Sequence, residues 1–268
     1  MNFMMVVLVG INNKGEIMKL TKKNYYGNKA NLEYMSYSQF KDFLKCPAYA
    51  MAKIKGEWAD EYTDSLLVGS YVDSWLDGEL DKFQEEHPEI FNSRTGELKA
   101  NFKQAEELCK IIKQDDFMYK LLKGKRQKIM TGIIAGVPFK IKIDSLHDDM
   151  IVDGKVLKDC EDCWIDGKYP FYMANRYDLQ GAIYQSIVQQ NINKKLPFIL
   201  GIITKEKVPD KRLIKIQDSV LEDAKNEVVA KSPIFQDMKL GKIEPYRCEC
   251  CDYCKSTKIL NKNSIEEM

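Results

Sequence analysis

Apolar residues recur at two spacings along this chain, one typical of helices and the other typical of strands. Side chains three or four positions apart share one face of a helix, and this spacing predicts a set of helices. They cover residues 36–54, 66–76, 99–123, 173–191 and 219–232. Short runs rich in Val, Ile and Phe predict strands over residues 128–136, 137–146, 150–156, 197–206 and 212–217. Helices that flank a small central sheet indicate a mixed α/β domain.

Residues 1–30 are predicted to be an appendage to a domain that spans residues 31–268. The first eleven residues are apolar but too few to cross a bilayer, and they lack the basic leader and cleavage site of a signal peptide. We expect a strand that turns at residues 12–15, or alternatively a true start at Met18. Nothing else resembles a targeting signal, so we expect a cytoplasmic protein that has no membrane partner.

The composition is that of an ordinary globular protein and gives no general attraction to polyanions. Of the 268 residues, 44% are hydrophobic and 30% are charged. The 41 Lys and Arg residues nearly balance the 40 Asp and Glu residues, which leaves a formal net charge of +1. Any nucleic-acid surface must therefore be local. The basic run at residues 120–128 is one candidate, although such a run is more often a solvated face.

Three polar residues lie on the predicted hairpin that ends near residue 155. Asp144 ends one strand, and Asp153 and Lys155 share one face of the next strand, about 7 Å apart along it. Two carboxylates can hold a hard divalent cation, and an ammonium beside them can orient water or offset anionic charge. This combination suits the hydrolysis of a phosphodiester. The alternative is a solvent-facing hairpin that carries ordinary surface charges.

Two predicted helices carry further candidates for the same site. Asp73 is the only charged residue from Leu66 to Leu76, and a lone carboxylate on an apolar helix is costly unless it caps, pairs or binds a metal. Gln180 and Tyr184 are four residues apart, so they are neighbours on one helical face and can both hydrogen-bond to phosphates or bases. Each of the three also has an ordinary interpretation as a surface or core residue.

The tail, from about residue 246, holds four cysteines within seven residues: Cys248, Cys250, Cys251 and Cys254. In a reducing compartment such a cluster indicates metal binding rather than disulfides. A zinc site is one interpretation, and it could also use Cys160 and Cys163, which have Cys-x-x-Cys spacing. A cysteine-rich tail that binds no metal is the other.

The order of these motifs resembles the PD-(D/E)xK nucleases of the RecB-like branch, and most closely the phage exonucleases grouped with exonuclease VIII. The motifs are Gly69-x-x-x-Asp73, Ile143-Asp144, Val152-Asp153-Gly154-Lys155 and Gln180-x-x-x-Tyr184. The similarity runs from about residue 36 to residue 254, and four motifs in the family's order are far more specific than any one of them. It implies a restriction-endonuclease-like core, in which helices flank a small central mixed sheet.

The resemblance implies a divalent-metal site. Asp144, Asp153 and the backbone carbonyl of Gly154 would bind Mg²⁺ or Mn²⁺, and Asp73 would complete the shell. Lys155 would orient the attacking water and offset charge on the phosphorus. This branch usually has His at the helix position, so Asp73 departs from the family's pattern.

The resemblance also implies a function, namely a 5′-to-3′ exonuclease that degrades linear double-stranded DNA in phage-type recombination or repair. Gln180 and Tyr184 would hold the DNA, whereas Val156, where the family commonly has Thr, removes a hydroxyl contact. A single-strand annealing recombinase and further copies of the chain, arranged in a ring, would be its partners. The alternatives are a catalytically silent nuclease-fold module that binds DNA or protein, and a zinc-stabilised interaction protein.

Some RecB-like relatives hold a [4Fe–4S] cluster between one early cysteine and three late ones. The cysteines that resemble this layout are Cys46, Cys248, Cys251 and Cys254. Their Cys-x-x-Cys-x-x-Cys spacing is tighter than is usual in that branch. The resemblance therefore implies a [4Fe–4S] cluster, with Zn²⁺ or no metal as the alternatives.

Overall fold

The computed structural model describes residues 18–61, 63–164, 168–260 and 262. The strand predicted within the first eleven residues lies outside them, so that interpretation stays a prediction, as does the division into an appendage and one domain. Within the described part of the predicted appendage, the Met18 carbonyl accepts a hydrogen bond from the Tyr34 hydroxyl at 3.2 Å.

Several helices precede the first strand, and the later helices and strands follow largely in the order that the hydrophobic pattern predicts. The helices of the described residues are α1 (Asn28–Glu33), α2 (Tyr37–Lys45), α3 (Pro47–Lys55), α4 (Asp64–Asp77), α5 (Leu80–Glu86), α6 (Ala100–Gln114), α7 (Asp116–Leu122), α8 (Phe171–Ala174), α9 (Tyr177–Ile192), α10 (Asp218–Lys239) and α11 (Asp252–Ser256). The strands are β1 (Lys125–Ile134), β2 (Val137–Leu146), β3 (Ile151–Leu157), β4 (Cys163–Trp164), β5 (Lys168–Tyr169), β6 (Phe198–Thr204) and β7 (Lys211–Lys215). None of these helices combines the length and the apolarity that a membrane crossing requires.

One mixed sheet of five strands has the spatial order β1-β2-β3-β6-β7. Strands β2 and β3 are antiparallel, β3 and β6 are parallel, and β6 and β7 are antiparallel. The parallel step needs a crossover connection, and the segment that contains α8 and α9 supplies it. Strands β4 and β5 form a separate antiparallel pair. The α/β architecture with a small mixed sheet and helices is therefore confirmed.

The helix predicted over residues 36–54 is two helices, because Pro47 interrupts it. Ser36 caps α2 by accepting a hydrogen bond from the Gln39 N–H at 3.3 Å. Cys46 is extended, with φ −166° and ψ 109°, and Pro47 takes the first position of α3, where a missing N–H is harmless. The break fixes Cys46 between two helices.

Other predicted helices also differ from the structure, and the one predicted over residues 173–191 is divided into α8 and α9. The helical pattern over residues 99–123 is divided into α6 and α7 at Asp115, whose side chain accepts a hydrogen bond from the Met118 N–H at 3.0 Å. Helix α10 runs beyond the predicted residues 219–232, because it continues through Pro233. The hydrophobic period located these helices but not their caps or interruptions.

Contacts between residues divide the chain into two compact units. Among the described residues, the first unit comprises those up to Asp60, the segment Ile133–Lys140 and those from Glu227 onward. The second comprises Glu61–Gly132 and Ile141–Asn226, and it contains helices α4 to α9 and strands β3, β6 and β7.

The first unit contains two buried lysines that donate to backbone and side-chain oxygens. Lys140 is 1% exposed, and its ammonium donates to Asn31 Oδ1 at 2.7 Å and to the Tyr25 carbonyl. The Lys239 ammonium donates to the Tyr34 carbonyl at 2.8 Å. Burial lowers the pKa of Lys140 to about 8 and that of Lys239 to about 7. These two side chains connect β2 and α10 to the chain around α1.

In the second unit, helices α4, α6 and α7 pack against one face of the sheet. This core includes Leu67, Val68, Tyr71, Val72, Leu108, Ile112, Leu122, Val152 and Ile203. Burial of each such aliphatic side chain stabilises the fold by about 1.5–3 kcal/mol. Successive strand residues face opposite sides, so Phe198 lies on the other face, where its ring centroid is 6.1 Å from that of Tyr184 in α9. The sheet is thus covered on both faces.

Helix α9 packs tightly against β6 at Gly181. A Cβ atom at this position would lie 2.7 Å from Leu221 Cδ2 and 2.8 Å from Phe198 Cδ1. Both neighbours are buried, so neither can move aside easily. The absence of a side chain at Gly181 therefore sets the distance between α9 and the sheet.

We expect Gly181→Ala to lower the free energy of unfolding by about 1–3 kcal/mol, because overpacking outweighs the gain in helix propensity. Gly69 in α4 is the matched control, since a Cβ there meets nothing within 4 Å. Gly69→Ala should leave the free energy of unfolding unchanged or raise it by up to about 1 kcal/mol. Urea denaturation measures both, and equal stability of the two variants would contradict the close packing of α9.

Candidate active site

The strand register places Asp144 and Asp153 on the same face of the sheet. Ser145 pairs with Val152 across the antiparallel strands β2 and β3. The Ser145 hydroxyl donates to the Leu121 carbonyl at 2.7 Å, so Ser145 faces helix α7. Side chains alternate between the two faces along a strand. Asp144 precedes Ser145, and Asp153 follows its partner Val152, so both acids project to the face opposite helix α7. The predicted convergence of the two strand acids thus has a geometric basis.

Asp153 is almost completely enclosed, at 1% exposure, and its two oxygens have different partners. Oδ1 accepts a hydrogen bond from Gln180 Nε2 at 2.7 Å. Oδ2 forms an ion pair with the Lys155 ammonium, which also lies 5.0 Å above the centre of the Tyr177 ring. Asp153 and Lys155, as the sequence predicts, therefore act on one another from the same strand.

The surroundings of Asp144 disfavour its ionised form. Its Oδ2 accepts a hydrogen bond from the Gly154 N–H at 3.1 Å. Burial, and then the negative charge of Asp153, raise the pKa of Asp144 to about 7, although Lys155 and Arg126 act in the opposite direction. Burial and a neighbouring negative charge both favour the neutral carboxyl, whereas a bound cation would favour the ionised one.

Asp73, on α4, faces a cleft that Lys155 also lines. Its side chain is 43% exposed, and Arg126 Nη2 lies 3.4 Å from its Oδ1. Desolvation in the cleft, and then the charge of Asp144, raise the pKa of Asp73 to about 7. The structure therefore brings the predicted helix acid into the electrostatic field of the strand acids.

Arg126 is a residue of this site that the sequence did not single out. It lies in β1, its side chain is only 12% exposed, and its Nε lies 2.7 Å from Asp77 Oδ1 on α4. Its charge also lowers the pKa of Asp144. The sequence places it in the basic run at residues 120–128, for which a solvated face is the expected role. The structure shows instead an internal counter-ion, and a partner 49 positions away leaves no local signal.

The cleft has a volume of about 510 Å³ and opens beside the end of β3. Its lining combines apolar side chains with a small polar set: Ser65, Ser70, Asp73, Lys155, Lys158, Asn175 and Tyr177. Few but convergent polar groups in a largely preformed cavity are typical of a binding or catalytic site.

Oxygen donors, excess negative charge and an orphaned polar atom together fit a hard divalent cation. Asp144 and Asp153 supply the carboxylates, and Gln180 Oε1 is buried without a hydrogen-bond partner among the described residues. Among the described residues, the cysteines form a close group of four potential ligands, and no such group of acids accompanies them. Asp144 and Asp153 share one face of the sheet, whereas Asp73 belongs to helix α4.

Gln180 and Tyr184 lie on the same face of α9, as their spacing predicts, and both are buried. Gln180 donates to Asp153, and the Tyr184 hydroxyl donates to the Lys142 carbonyl at 3.1 Å. In this arrangement both side chains hold the two acid-bearing strands against the helix. Their predicted contact with DNA stays a prediction, as does the metal contact of the Gly154 carbonyl.

The four predicted cysteine ligands come together in the first unit. They are Cys46, Cys248, Cys251 and Cys254. Cys250 is exposed and Cys160 is partly exposed, and neither belongs to this group. The side chain of Cys163 lies outside the described residues.

Backbone donors make one of these thiols unusually acidic. The N–H groups of Cys250 and Cys251 lower the pKa of Cys248 to about 6, whereas burial raises the pKa of Cys46. The Tyr49 ring packs against the group from α3. The cysteines therefore form a preassembled thiol site that could hold a metal ion.

The family model of the PDDEXK-like domain of unknown function (DUF3799) matches residues 36–257. The chain belongs to this family. The resemblance to PD-(D/E)xK proteins that the motifs indicate, and the restriction-endonuclease-like fold, are thereby confirmed.

This PDDEXK-like chain is also similar to a solved structure, the crystal structure of a protein from Eubacterium rectale described as a "Putative exonuclease". The two sequences are 45% identical, and the structures superpose with a TM-score of 0.88. The similarity covers 91% of this chain and 96% of that chain. A search of curated proteins gave no significant match.

The raised pKa of Asp144 predicts a pH dependence of stability. An unfolded Asp has a pKa of about 3.9, so between that value and about 7 the folded state binds more protons, and stability should rise as the pH falls from 8 towards 5. The slope from one such group is at most about 1.4 kcal/mol per pH unit.

Thermal melts of the parent and of Asp144→Asn, without added divalent metal, test this contribution. The charge of Asp144 also raises the pKa of Asp73, so the difference between the two proteins reports Asp144 together with its effect on Asp73. We expect the parent to gain more stability than the variant between pH 8 and pH 5. If the melting temperatures of both proteins changed with pH in the same way, the pKa of Asp144 would not be raised in the folded protein.

Proposed function

We propose that this PDDEXK-like protein is a metal-dependent deoxyribonuclease. The observation that carries the proposal is that Asp144, Asp153 and Lys155 share one face of the sheet, and that Lys155 also lines the cleft that Asp73 faces. Two acids and an ammonium in this position have little structural use, because a buried pair of like charges destabilises the fold. The 45% identical neighbour described as an exonuclease supports the same activity.

Asp144 and Asp153 would hold Mg²⁺ or Mn²⁺, assisted by the Gly154 carbonyl and by Asp73 from α4. When bound, such a cation polarises the phosphate and stabilises the departing oxygen. Gln180 would fix the orientation of the Asp153 carboxylate, since it donates to Oδ1 at 2.7 Å.

Lys155 would supply positive charge rather than act as a base. Burial alone would lower the pKa of its ammonium, but Asp153 and Asp144 raise that pKa above its ordinary value, so the group stays protonated at neutral pH. A protonated Lys155 at the cleft can orient a water molecule and offset charge on the phosphorus. Hydrolysis would join the water oxygen to phosphorus and break the bond to the 3′ oxygen, leaving a 5′ phosphate.

The substrate ends, the direction of degradation and the biological role are inferred from the resemblance to the exonuclease VIII group. We propose action on the ends of linear duplex DNA, in the 5′-to-3′ direction, and a place in phage-type recombination together with a single-strand annealing protein. A ring of several copies would keep such an enzyme on its substrate. The proposed roles of Asp144, Asp153 and Lys155 do not depend on the direction of degradation, the partner or the ring.

A catalytically silent DNA-binding module is the second candidate. The ion pair between Arg126 and Asp73 favours it, because an arginine that neutralises the helix acid reduces the need for a metal there. The two candidates differ in one measurable respect, since only the nuclease consumes DNA when Mg²⁺ or Mn²⁺ is supplied.

The direct test is a gel assay on linear and closed circular duplex DNA, with and without Mg²⁺. We expect the parent to degrade linear DNA only when the metal is present, and Asp153→Asn and Lys155→Ala to lose at least about 100-fold in rate, because each removes charge stabilisation of the transition state. End-labelled strands report the direction.

Asp149→Asn is the matched control, because Asp149 is an exposed acid in the turn between the same two strands. It should retain the parent's rate. Parent-like rates in Asp153→Asn or Lys155→Ala would overturn the assignment of the site. A parent that binds DNA without degrading it in either metal would favour the silent module.

A further inference from the structure

We propose that the four clustered cysteines form a mononuclear, tetrahedral thiolate site for zinc. This assignment differs from the [4Fe–4S] cluster that the resemblance to RecB-like nucleases implies. It is independent of the proposed nuclease function, because neither DNA nor the active-site carboxylates take part in it.

The spacing of the sulfur atoms matches one metal ion. Cys46 Sγ lies 3.6 Å from Cys254 Sγ, and Cys248 Sγ lies 4.0 Å from Cys254 Sγ. All four sulfurs, including that of Cys251, lie within 4.8 Å of one another. A zinc ion bound by four thiolates at about 2.3 Å places the sulfurs about 3.8 Å apart. The group therefore has the dimensions of a single tetrahedral centre.

A four-iron cluster requires a wider arrangement. Each thiolate then binds a different iron at the corner of a cube, which separates the sulfurs by about 6 Å. The local packing opposes such an expansion, since Cys46 and Cys254 are completely buried and Tyr49 packs against them. The Ala48 N–H also donates to the Tyr246 carbonyl at 3.1 Å, which joins the start of α3 directly to the segment that leads into the tail cysteines.

The backbone around the tail cysteines is arranged to support thiolates. The Cys251 N–H donates to Cys248 Sγ at 3.3 Å, and the Cys254 N–H donates to Cys251 Sγ at 3.5 Å. The Arg247 guanidinium donates to the Cys254 carbonyl and adds positive charge beside the group. These donors offset the negative charge that remains when four thiolates bind one divalent ion.

Four soft sulfur ligands in a closed tetrahedron suit zinc, and closure without an open position makes the site structural. The ion would join Cys46 to Cys254, which are 208 residues apart in the sequence. Because such a site does not exist in the unfolded chain, zinc binding would add directly to the stability of the first unit.

Anaerobic purification of the full chain from cells supplied with both iron and zinc tests the assignment. We expect about one zinc per chain by elemental analysis and no absorbance band at about 400 nm. Replacement of the zinc by Co²⁺ should give the intense visible absorption of a four-thiolate tetrahedral site. Removal of the metal with a chelator should lower the melting temperature, and added zinc should restore it.

Two variants keep the test independent of misfolding. Cys250→Ser is the matched control, because this exposed cysteine of the same motif lies outside the group, and it should keep the full zinc content. Cys248→His should also keep zinc, since a Cys₃His set binds it well, whereas Cys254→Ser should lose it. Four irons with sulfide, a single iron, a chain without metal, or loss of zinc in Cys250→Ser would each overturn the proposal.

Discussion

The mutual repulsion of Asp144 and Asp153 is the constraint on which the site depends. Burial, and then the negative charge of Asp153, both disfavour the ionised form of Asp144. The fold tolerates this repulsion because Lys155 and Arg126 lie beside the acids and because the Gly154 N–H donates to one of them. The pKa of Asp144 is nevertheless raised to about 7, first by burial and then by the charge of Asp153. A divalent cation would stabilise the ionised form of both acids.

The rest of the second unit holds this charged group in place. The parallel pairing of β3 with β6 needs a crossover, and α9 in that crossover lies over the face that carries the acids. Gly181 allows the helix to approach the sheet, and the neighbouring Gln180 then reaches Asp153. The missing side chain at Gly181 therefore allows the hydrogen bond that Gln180 donates to Asp153.

Local patterns in the sequence predict the features that follow from the geometry of a single strand or helix. Alternation along two strands places Asp144, Asp153 and Lys155 on one face, and the period of α9 places Gln180 beside Tyr184. The interruption at Pro47 could also have been predicted, since proline cannot continue a helix without breaking a hydrogen bond.

Long-range pairing explains what the sequence could not supply. Arg126 and Asp77 meet only because β1 and α4 pack together, and no periodicity connects them. The approach of Cys46 to the tail followed from a family resemblance rather than from spacing, and the distances between the sulfurs required coordinates. Those distances then changed the metal that the cysteines indicate.

Calorimetric titration of Mn²⁺ into the full chain at pH 8, for the parent and for Asp144→Ala, measures whether Asp144 takes part in holding a divalent cation. The positive charges of Lys155 and Arg126 oppose the binding of a cation, but the site should be specific. We expect saturable Mn²⁺ binding to the parent and its loss in the variant, while both proteins keep the same circular dichroism spectrum. Equal Mn²⁺ binding by the two folded proteins, or none by the parent, would contradict this expectation.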